Sequence, residues 1–205
     1  MPTSIVSRRL HIEPLTRAAF EPFGGVISPE TADSPNLNRA PGNLGFLWVQ
    51  HPLEFPKQPY VASLRYYYRG LRCDFMQKHP ASTVCLLPMG AASSTFVVAN
   101  DNGHDQPDVD HARAFLLDGS AGVVLHRGIW VRYAYPLGAF ADYYYVTQRV
   151  DPVTANSSDD VVRCRLDDQF GFVFDLCLGM PGGPGFEFGA SGAVVAGPPR
   201  KPPWE

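Results

Sequence analysis

Short apolar segments separated by turn-forming residues run through most of this chain, and this pattern restricts the fold more than any other feature. Gly contributes 19 and Pro 20 of the 205 residues. Aromatic and β-branched residues dominate segments such as residues 60–69, YVASLRYYYR, and residues 141–150, ADYYYVTQRV. Strands that recur roughly every eight to twelve residues between turn signals are typical of a β-sandwich or a β-barrel. We therefore predict a mainly β fold rather than a helix bundle.

One short helix is expected near the start of the chain. Thr16 is placed to cap the segment TRAAFEPF, and Gly24 and Gly25 follow that segment and end it. Further strands are predicted at residues 26–27, 44–50, 60–69, 93–99, 141–150 and 170–176, within 112–119, 120–130 and 131–138, and as two extended pieces on either side of Pro80.

The length and the change of composition near the end predict one domain followed by a tail. A chain of 205 residues is long enough for a single core. Beyond residue 178 the sequence becomes too rich in Gly and Pro to hold a regular element. We divide the chain into a domain at residues 1–178 and a tail at residues 179–205. The tail is either a mobile end or an arm that rests on a partner subunit through Trp204.

Charge and hydropathy exclude several classes of function. The formal net charge is −3, and no basic stripe of the kind that duplex binding needs is present. No apolar run approaches the roughly 20 residues of a membrane span, and residues 1–9 do not resemble a signal peptide. Four scattered cysteines without a C-x-x-C motif are expected to be small buried apolar side chains. We expect a cytoplasmic protein with a small-molecule substrate and no nucleic-acid or membrane partner.

The histidines do not have the spacing of a metal site. A barrel metal site needs several His or carboxylate ligands that converge from neighbouring strands. The strand-borne candidates are His79 and His126, with Asp74 near them in sequence, and each histidine is more often an ordinary hydrogen-bonded residue than a ligand. No phosphate loop or dinucleotide fingerprint occurs. We predict no metal and no cofactor.

The segment FMQKHPAS carries two polar side chains on one face. With the strand period of two, Gln77 and His79 lie on the same face as Phe75. A Gln and a His that point into a barrel suit a small polar ligand. An edge strand with these side chains in water is the equally good alternative, since Pro80 is typical of strand ends and edges.

Aromatic and basic residues of two later strands are further candidates. In the segment WVRYAYPLG the strand period of two puts Trp130 and Arg132 on one face. Val131, Tyr133 and Tyr135 then lie on the other face. A buried arginine needs an anionic partner because its guanidinium stays protonated. The run Tyr143 to Tyr145 alternates, so at least one hydroxyl points inward, either as a general acid or as a hydrogen bond that fixes the core.

Several motifs together resemble the ureidoglycolate lyase family. They are PLTRAAFEPFGGVI, KHPASTVCLLPMG, QPDVDHARAFLLDGSAGV, and GIW followed by PLG, in the order and spacing of that family over roughly residues 11 to 178. The resemblance implies a cupin-like β-barrel with a short N-terminal helix, a homodimer, and the cleavage of ureidoglycolate into glyoxylate and urea.

Three positions depart from the family's pattern. Gln77 replaces the usual Glu, Val84 the usual Gln, and Val131 the usual His. An amide does not titrate in the useful range, and valine neither donates nor accepts a hydrogen bond. The fold is therefore expected to be kept while the chemistry changes. We predict a metal-independent lyase, cyclase or isomerase that acts on a more hydrophobic small molecule, as in natural-product biosynthesis.

The predicted site has two kinds of residue. We expect His79 to act as acid and base, Gln77 to bind a carbonyl or hydroxyl, and Arg132 and Arg65 to hold developing negative charge. We predict that the walls of the substrate site are formed by Trp130, Val131, Tyr133, Tyr143, Tyr145 and Val84. The alternatives are a true ureidoglycolate lyase and a barrel that binds a ligand without turnover.

Overall fold

The computed structural model describes residues 6–28, 37–38, 48–148 and 160–178, of which 37–38 and 48–49 are described through the backbone alone. The predicted strand at 44–50 is described only from Trp48 onwards, and the predicted tail at 179–205, with Trp204, lies outside the described residues. Among the described residues, no helix is long and apolar enough to cross a bilayer.

The described residues form fifteen strands and two short helices. Their bounds are β1 (Val6–Pro14), α1 (Arg17–Phe20), β2 (Gly24–Ile27), β3 (Leu37–Asn38), β4 (Trp48–Val49), β5 (Pro59–Tyr67), β6 (Arg72–Cys73), β7 (Phe75–Lys78), β8 (Val84–Pro88), β9 (Ser94–Ala99), β10 (Arg113–Leu117), β11 (Gly122–Leu125), β12 (Trp130–Pro136), β13 (Phe140–Gln148), β14 (Val162–Arg165), α2 (Leu166–Phe170) and β15 (Phe172–Leu178). The prediction of a mainly β fold with a short helix near the start is confirmed.

Helix α1 is short because its sequence supplies a cap but no long helical run. The backbone N–H of Ala19 donates to Thr16 Oγ1 at 3.2 Å, which satisfies one of the free donors at the helix start. Phe20, at the other end of the helix, is completely buried and packs edge-on against Phe115. The helix thus closes one end of the core, as an N-terminal plug.

The strands form two main sheets and a small two-stranded ribbon. The order in the larger sheet is β14-β7-β12-β9-β10-β1-β15-β6, and the order in the smaller one is β2-β11-β8-β13-β5. The ribbon pairs β3 with β4. Strand β1 runs parallel to both of its neighbours, β10 and β15, whereas the other pairings described are antiparallel.

The eight-stranded sheet is curled. Strand β6 lies at one edge and β7 lies next to the opposite edge, yet only Asp74 separates these two strands in the chain. Because one residue spans less than 4 Å, the sheet must bend back on itself to bring its edges together. This curl gives the larger sheet an inner and an outer face of different character.

Two apolar cores follow from this arrangement. The central core lies between the two sheets and consists of Phe20, Phe23, Val26, Val84, Leu86, Phe96, Val98, Phe115, Leu117, Val123, Leu125, Ile129, Val131, Tyr133, Ala134, Ala141, Tyr143 and Tyr145. The second core lies within the curl of the eight-stranded sheet and consists of Cys73, Met76, Val97, Ala99, Ala112, Ala114, Trp130, Tyr135, Cys164, Leu166, Phe172, Phe174 and Leu176. Strand β9 is buried on both faces, since its residues alternate between the two cores.

A β-bulge in β12 changes the faces expected from the sequence. Arg132 pairs with Val97 of β9, but the next paired residue, Tyr135, lies opposite Thr95, so one extra residue is accommodated. Tyr133 therefore stays in the central core, whereas Tyr135 joins the second core. The prediction that Tyr133 and Tyr135 share one face is wrong, because strict alternation holds only in a strand without a bulge.

Candidate functional site

A buried histidine and a buried tyrosine are joined by a hydrogen bond inside the central core. His79 follows β7, and Tyr145 lies in the middle of β13 in the opposite sheet. The hydroxyl of Tyr145 lies 3.0 Å from Nε2 of His79. The two side chains are 4% and 8% exposed. We call this pair the His79–Tyr145 dyad, and it is the arrangement of the predicted residues that is best suited to proton transfer.

Burial keeps both members of the dyad uncharged. It lowers the pKa of His79 to about 4, and the nearby Asp160 carboxylate offsets only part of that effect. Burial also raises the pKa of Tyr145 above its usual range. At neutral pH the pair is therefore an imidazole and a phenol. Nδ1 of His79 is buried and has no hydrogen-bond partner among the described residues.

The walls around the dyad are apolar. Val84 and Val131 are almost completely buried in the central core, as is Tyr133. The ring of Tyr133 meets that of Tyr145 edge-on at 5.7 Å. Burial raises the pKa of Tyr133 well above its usual value, and the neighbouring hydroxyl of Tyr145 adds to the effect. Four of the predicted residues, Val84, Val131, Tyr133 and Tyr145, thus belong to the same core, and Tyr145 contacts His79.

Tyr143 lies in the same core but is already engaged. Its hydroxyl shares a hydrogen bond with that of Ser94, and its ring packs edge-on against Tyr66 at 6.0 Å. Tyr144, between the two inward tyrosines, is 45% exposed. The predicted alternation of this tyrosine run is confirmed, and the hydroxyl of Tyr143 serves as an internal tie between two strands.

Gln77 is half-buried on β7. It is paired with Val131 of β12. Residues that face each other across a strand pair project to the same side of the sheet. Gln77 is therefore placed on the side of the central core, next to Val131.

The two arginines that the sequence suggested lie in different places. Arg132 is 17% exposed at the bulge, and its guanidinium carbon lies 3.5 Å from the centre of the Phe75 ring. Arg65 is on the outer face of the five-stranded sheet, where Nε and Nη2 each donate to Asp142 at 2.7 Å. The arginine that lies near Arg132 is Arg69. The sequence did not indicate this residue, because residues 60–69 were predicted as one continuous strand.

Trp130 lies on the other side of its strand from the dyad. It is completely buried in the second core, and its Nε1 donates to Asp101 at 3.0 Å. The ammonium of Lys78 lies 4.8 Å from the centre of the indole ring and donates to the same carboxylate at 2.6 Å. Lys78, Trp130 and Asp101 therefore fix the loop after β9 to the second core.

No group of three or more His, Cys, Asp or Glu side chains that could hold a metal ion occurs in the described part of the chain. All four cysteines are free thiols, and three of them, Cys73, Cys85 and Cys164, are buried as expected of small apolar side chains.

Solved structures of similar shape share little sequence with this chain. A dTDP sugar isomerase from Desulfovibrio desulfuricans is 11% identical, with a TM-score of 0.39 over 73% of this chain and 86% of that one. A dTDP-4-dehydrorhamnose 3,5-epimerase from Bacillus anthracis is 15% identical, with a TM-score of 0.37 over 67% of this chain and 76% of that one.

Similarity at the level of sequence is more extensive. The ureidoglycolate lyase of Pseudomonas paraeruginosa is 31% identical over 126 residues, which cover 60% of this chain and 73% of that protein. The ureidoglycolate lyase of Burkholderia cepacia is 32% identical over 145 residues, which cover 67% and 78%, respectively. The family model for ureidoglycolate lyase matches residues 7–171, which include both strands of the dyad and most of the two cores. The chain therefore belongs to the ureidoglycolate lyase family.

Proposed function

We propose that this protein is a lyase whose substrate is larger and more apolar than ureidoglycolate, and that the His79–Tyr145 dyad moves the proton. The observation that carries the proposal is the 3.0 Å contact between the two buried side chains. Its surroundings support it, because Val84 and Val131, at positions where the family resemblance implies polar side chains, are buried in the apolar core that also contains Tyr145. Apolar surroundings with few polar groups favour a ligand with an apolar body.

The neutral dyad suits the reaction that the family name implies. A lyase of this kind cleaves the bond between carbon and nitrogen at a carbon that also carries a hydroxyl. The hydroxyl loses its proton, a carbonyl forms, the C–N bond breaks, and the leaving nitrogen gains a proton. When Nε2–H of His79 donates to Tyr145, the lone pair on Nδ1 is free to take the hydroxyl proton. The same ring then returns that proton to the nitrogen, so the balance closes without a cofactor.

Cleavage of ureidoglycolate itself is the second candidate. It is favoured by the match to the family over residues 7–171 and by relatives named ureidoglycolate lyase at about 30% identity. It is disfavoured by Gln77, Val84 and Val131, because the family resemblance implies a carboxylate, an amide and an imidazole at these three positions.

The test compares ureidoglycolate with related substrates that carry larger groups. Release of glyoxylate is measured for ureidoglycolate and for 2-hydroxyglycines that carry a benzoyl or longer acyl group on the nitrogen. The assay compares wild type with His79→Ala and with the matched surface variant His104→Ala. We expect turnover of an acylated substrate, little urea release, and a loss in kcat of about 10²- to 10⁴-fold in His79→Ala alone. Urea release at about 10 per second establishes the second candidate instead.

The oligomeric state is a separate proposal. The family resemblance implies a homodimer, and the outer face of β5 and β13 offers exposed apolar side chains for it, among them Val61, Tyr67, Phe140 and Tyr144. Light scattering coupled to size exclusion measures the mass directly. A dimer that Tyr144→Lys converts to monomer supports this contact, and a monomeric wild type contradicts it.

A further inference from the structure

Two arginines lie side by side at the bulge of β12 with little negative charge around them. Arg69 and Arg132 influence each other electrostatically, and both lie near the ring of Tyr135, with guanidinium carbons 4.3 Å and 5.9 Å, respectively, from its centre. We propose that Arg69 and Arg132 form a binding site for a carboxylate, which we call the arginine site. As an anchor for the substrate's carboxylate it rests on the proposed function, whereas its ability to bind an anion does not.

The bulge explains why Arg69 is held there. The extra residue in β12 frees backbone carbonyls from the ladder with β9. Nη2 of Arg69 donates to the carbonyl oxygens of Tyr133 and Ala134, the latter at 3.0 Å. These bonds leave its Nε buried without a partner among the described residues. The Nη2 group of Arg69 is thus fixed by the protein, whereas its Nε–H remains available to a ligand.

Arg132 is less satisfied than Arg69. The carboxylate paired with it is that of Asp74, 3.9 Å from Nη2 and 42% exposed, which is too far for a hydrogen bond. Its Nε is also buried without a hydrogen-bond partner among the described residues. Buried N–H donors are usually hydrogen-bonded, because a buried donor without an acceptor destabilises the folded protein. Two such donors on neighbouring arginines indicate a missing acceptor.

The charge balance selects a monoanion. Arg69 and Arg132 contribute two positive charges, and Asp74 contributes one negative charge. Burial raises the pKa of the Cys73 thiol to about 12 and that of Tyr135 above its usual range, so neither supplies negative charge at neutral pH. Burial and the charge of Arg132 together lower the pKa of Arg69. One carboxylate neutralises this excess, and it also offers the two oxygens that guanidinium groups bind.

The arginine site lies towards the second core, since Arg132 is paired with Val97, and Tyr66 is its link to the central core. The ring of Tyr66 lies 5.9 Å from the guanidinium carbon of Arg69 and 6.0 Å from the ring of Tyr143. Burial raises the pKa of Tyr66 to about 12, against the opposing effect of the Arg69 and Arg132 charges. Tyr66 thus connects the arginines to the tyrosines of the central core.

The test is direct binding of a small carboxylate, measured by calorimetry at low ionic strength. Glycolate is the probe and inorganic phosphate the comparison anion. Arg132→Gln removes one charge, whereas Asp74→Asn removes the competing carboxylate. Arg65→Gln is the matched control, because this arginine is paired with Asp142 on the outer face. These variants are chosen over a change at Arg69, which also holds the bulge.

We expect glycolate to bind about ten- to a hundredfold more weakly to Arg132→Gln, more tightly to Asp74→Asn, and unchanged to Arg65→Gln. Equal binding by Arg132→Gln and wild type, absence of glycolate binding to wild type, or tenfold tighter binding of phosphate overturns the carboxylate site. The same titration with His79→Ala separates the two proposals. If that variant keeps both its turnover and its glycolate affinity, the proposed catalytic role fails and the arginine site stands.

Discussion

Acidification should destabilise this protein through His79. In the folded state burial lowers the pKa of His79 to about 4, whereas an exposed histidine in the unfolded chain has a value of about 6.5. Between these values the unfolded chain binds a proton that the folded protein does not bind. The free energy of unfolding therefore falls as the pH falls through this window, and the contribution of neutral His79 is fully present above about pH 6.5.

The size of the effect follows from the two pKa values. Each pH unit inside the window corresponds to about 1.4 kcal/mol, so lowering the pH from 7 to 5 should remove about 2 kcal/mol of stability through this one residue. Over the whole window the loss approaches about 3 kcal/mol. For a domain that is stable by about 5–15 kcal/mol, this is a measurable fraction.

Urea denaturation followed by tryptophan fluorescence at pH 7 and pH 5 measures this loss. The variant His79→Gln keeps an amide N–H for Tyr145 but does not titrate, so its pH dependence should be about 2 kcal/mol smaller than that of wild type. The exposed His104→Gln is the control and should retain the wild-type dependence. Carboxylates with lowered pKa values, such as Asp101, contribute alike in all three proteins. Identical pH dependence in wild type and His79→Gln would refute the reasoning.

Three further predictions concern stability. Asp101→Asn should cost about 1.5–3 kcal/mol in urea denaturation, because it weakens the 2.6 Å contact with the buried ammonium of Lys78; no change would mean that the remaining contacts of this ammonium suffice. Gly24→Ala should cost about 1–3 kcal/mol or more, since an added Cβ would lie 1.8 Å from the carbonyl oxygen of Val124, and a wild-type melting temperature would contradict that approach. Tyr133→Phe should leave the melting temperature nearly unchanged, because the buried hydroxyl of Tyr133 makes no hydrogen bond of good geometry in the described structure; a fall of several degrees would indicate a full hydrogen bond to Tyr145.

Local signals in the sequence were sufficient for α1, for many of the strands and for part of the candidate site, whereas β1, β14 and α2 were not predicted. Thr16 predicted the start of α1, because a hydroxyl there satisfies a free N–H of the helix whatever the tertiary fold. The alternation of the tyrosine run predicted inward Tyr143 and Tyr145, since the strand period is a property of the backbone. Motif spacing identified the family and, with it, His79. These inferences depend on neighbours in the chain and so survive without coordinates.

Features that depend on distant segments were decided by the tertiary structure. The bulge in β12 turns Tyr135 to the second core, and a bulge is fixed by the partner strand rather than by the sequence around it. The choice of Arg69 over Arg65 as the neighbour of Arg132 depends on where β5 ends, so that one guanidinium reaches the bulge while the other remains on the outer face.

The acid–base properties of the site likewise come from the folded structure. Nothing next to His79 in the sequence indicates a low pKa; the folded structure lowers it by burying the imidazole, and β13 places Tyr145 within hydrogen-bond distance of it. The sequence by itself determined which chemical groups are present and the period with which they repeat. The packing of the two sheets decided which groups meet, which are buried and which carry charge, because those properties depend on contacts between residues far apart in the chain.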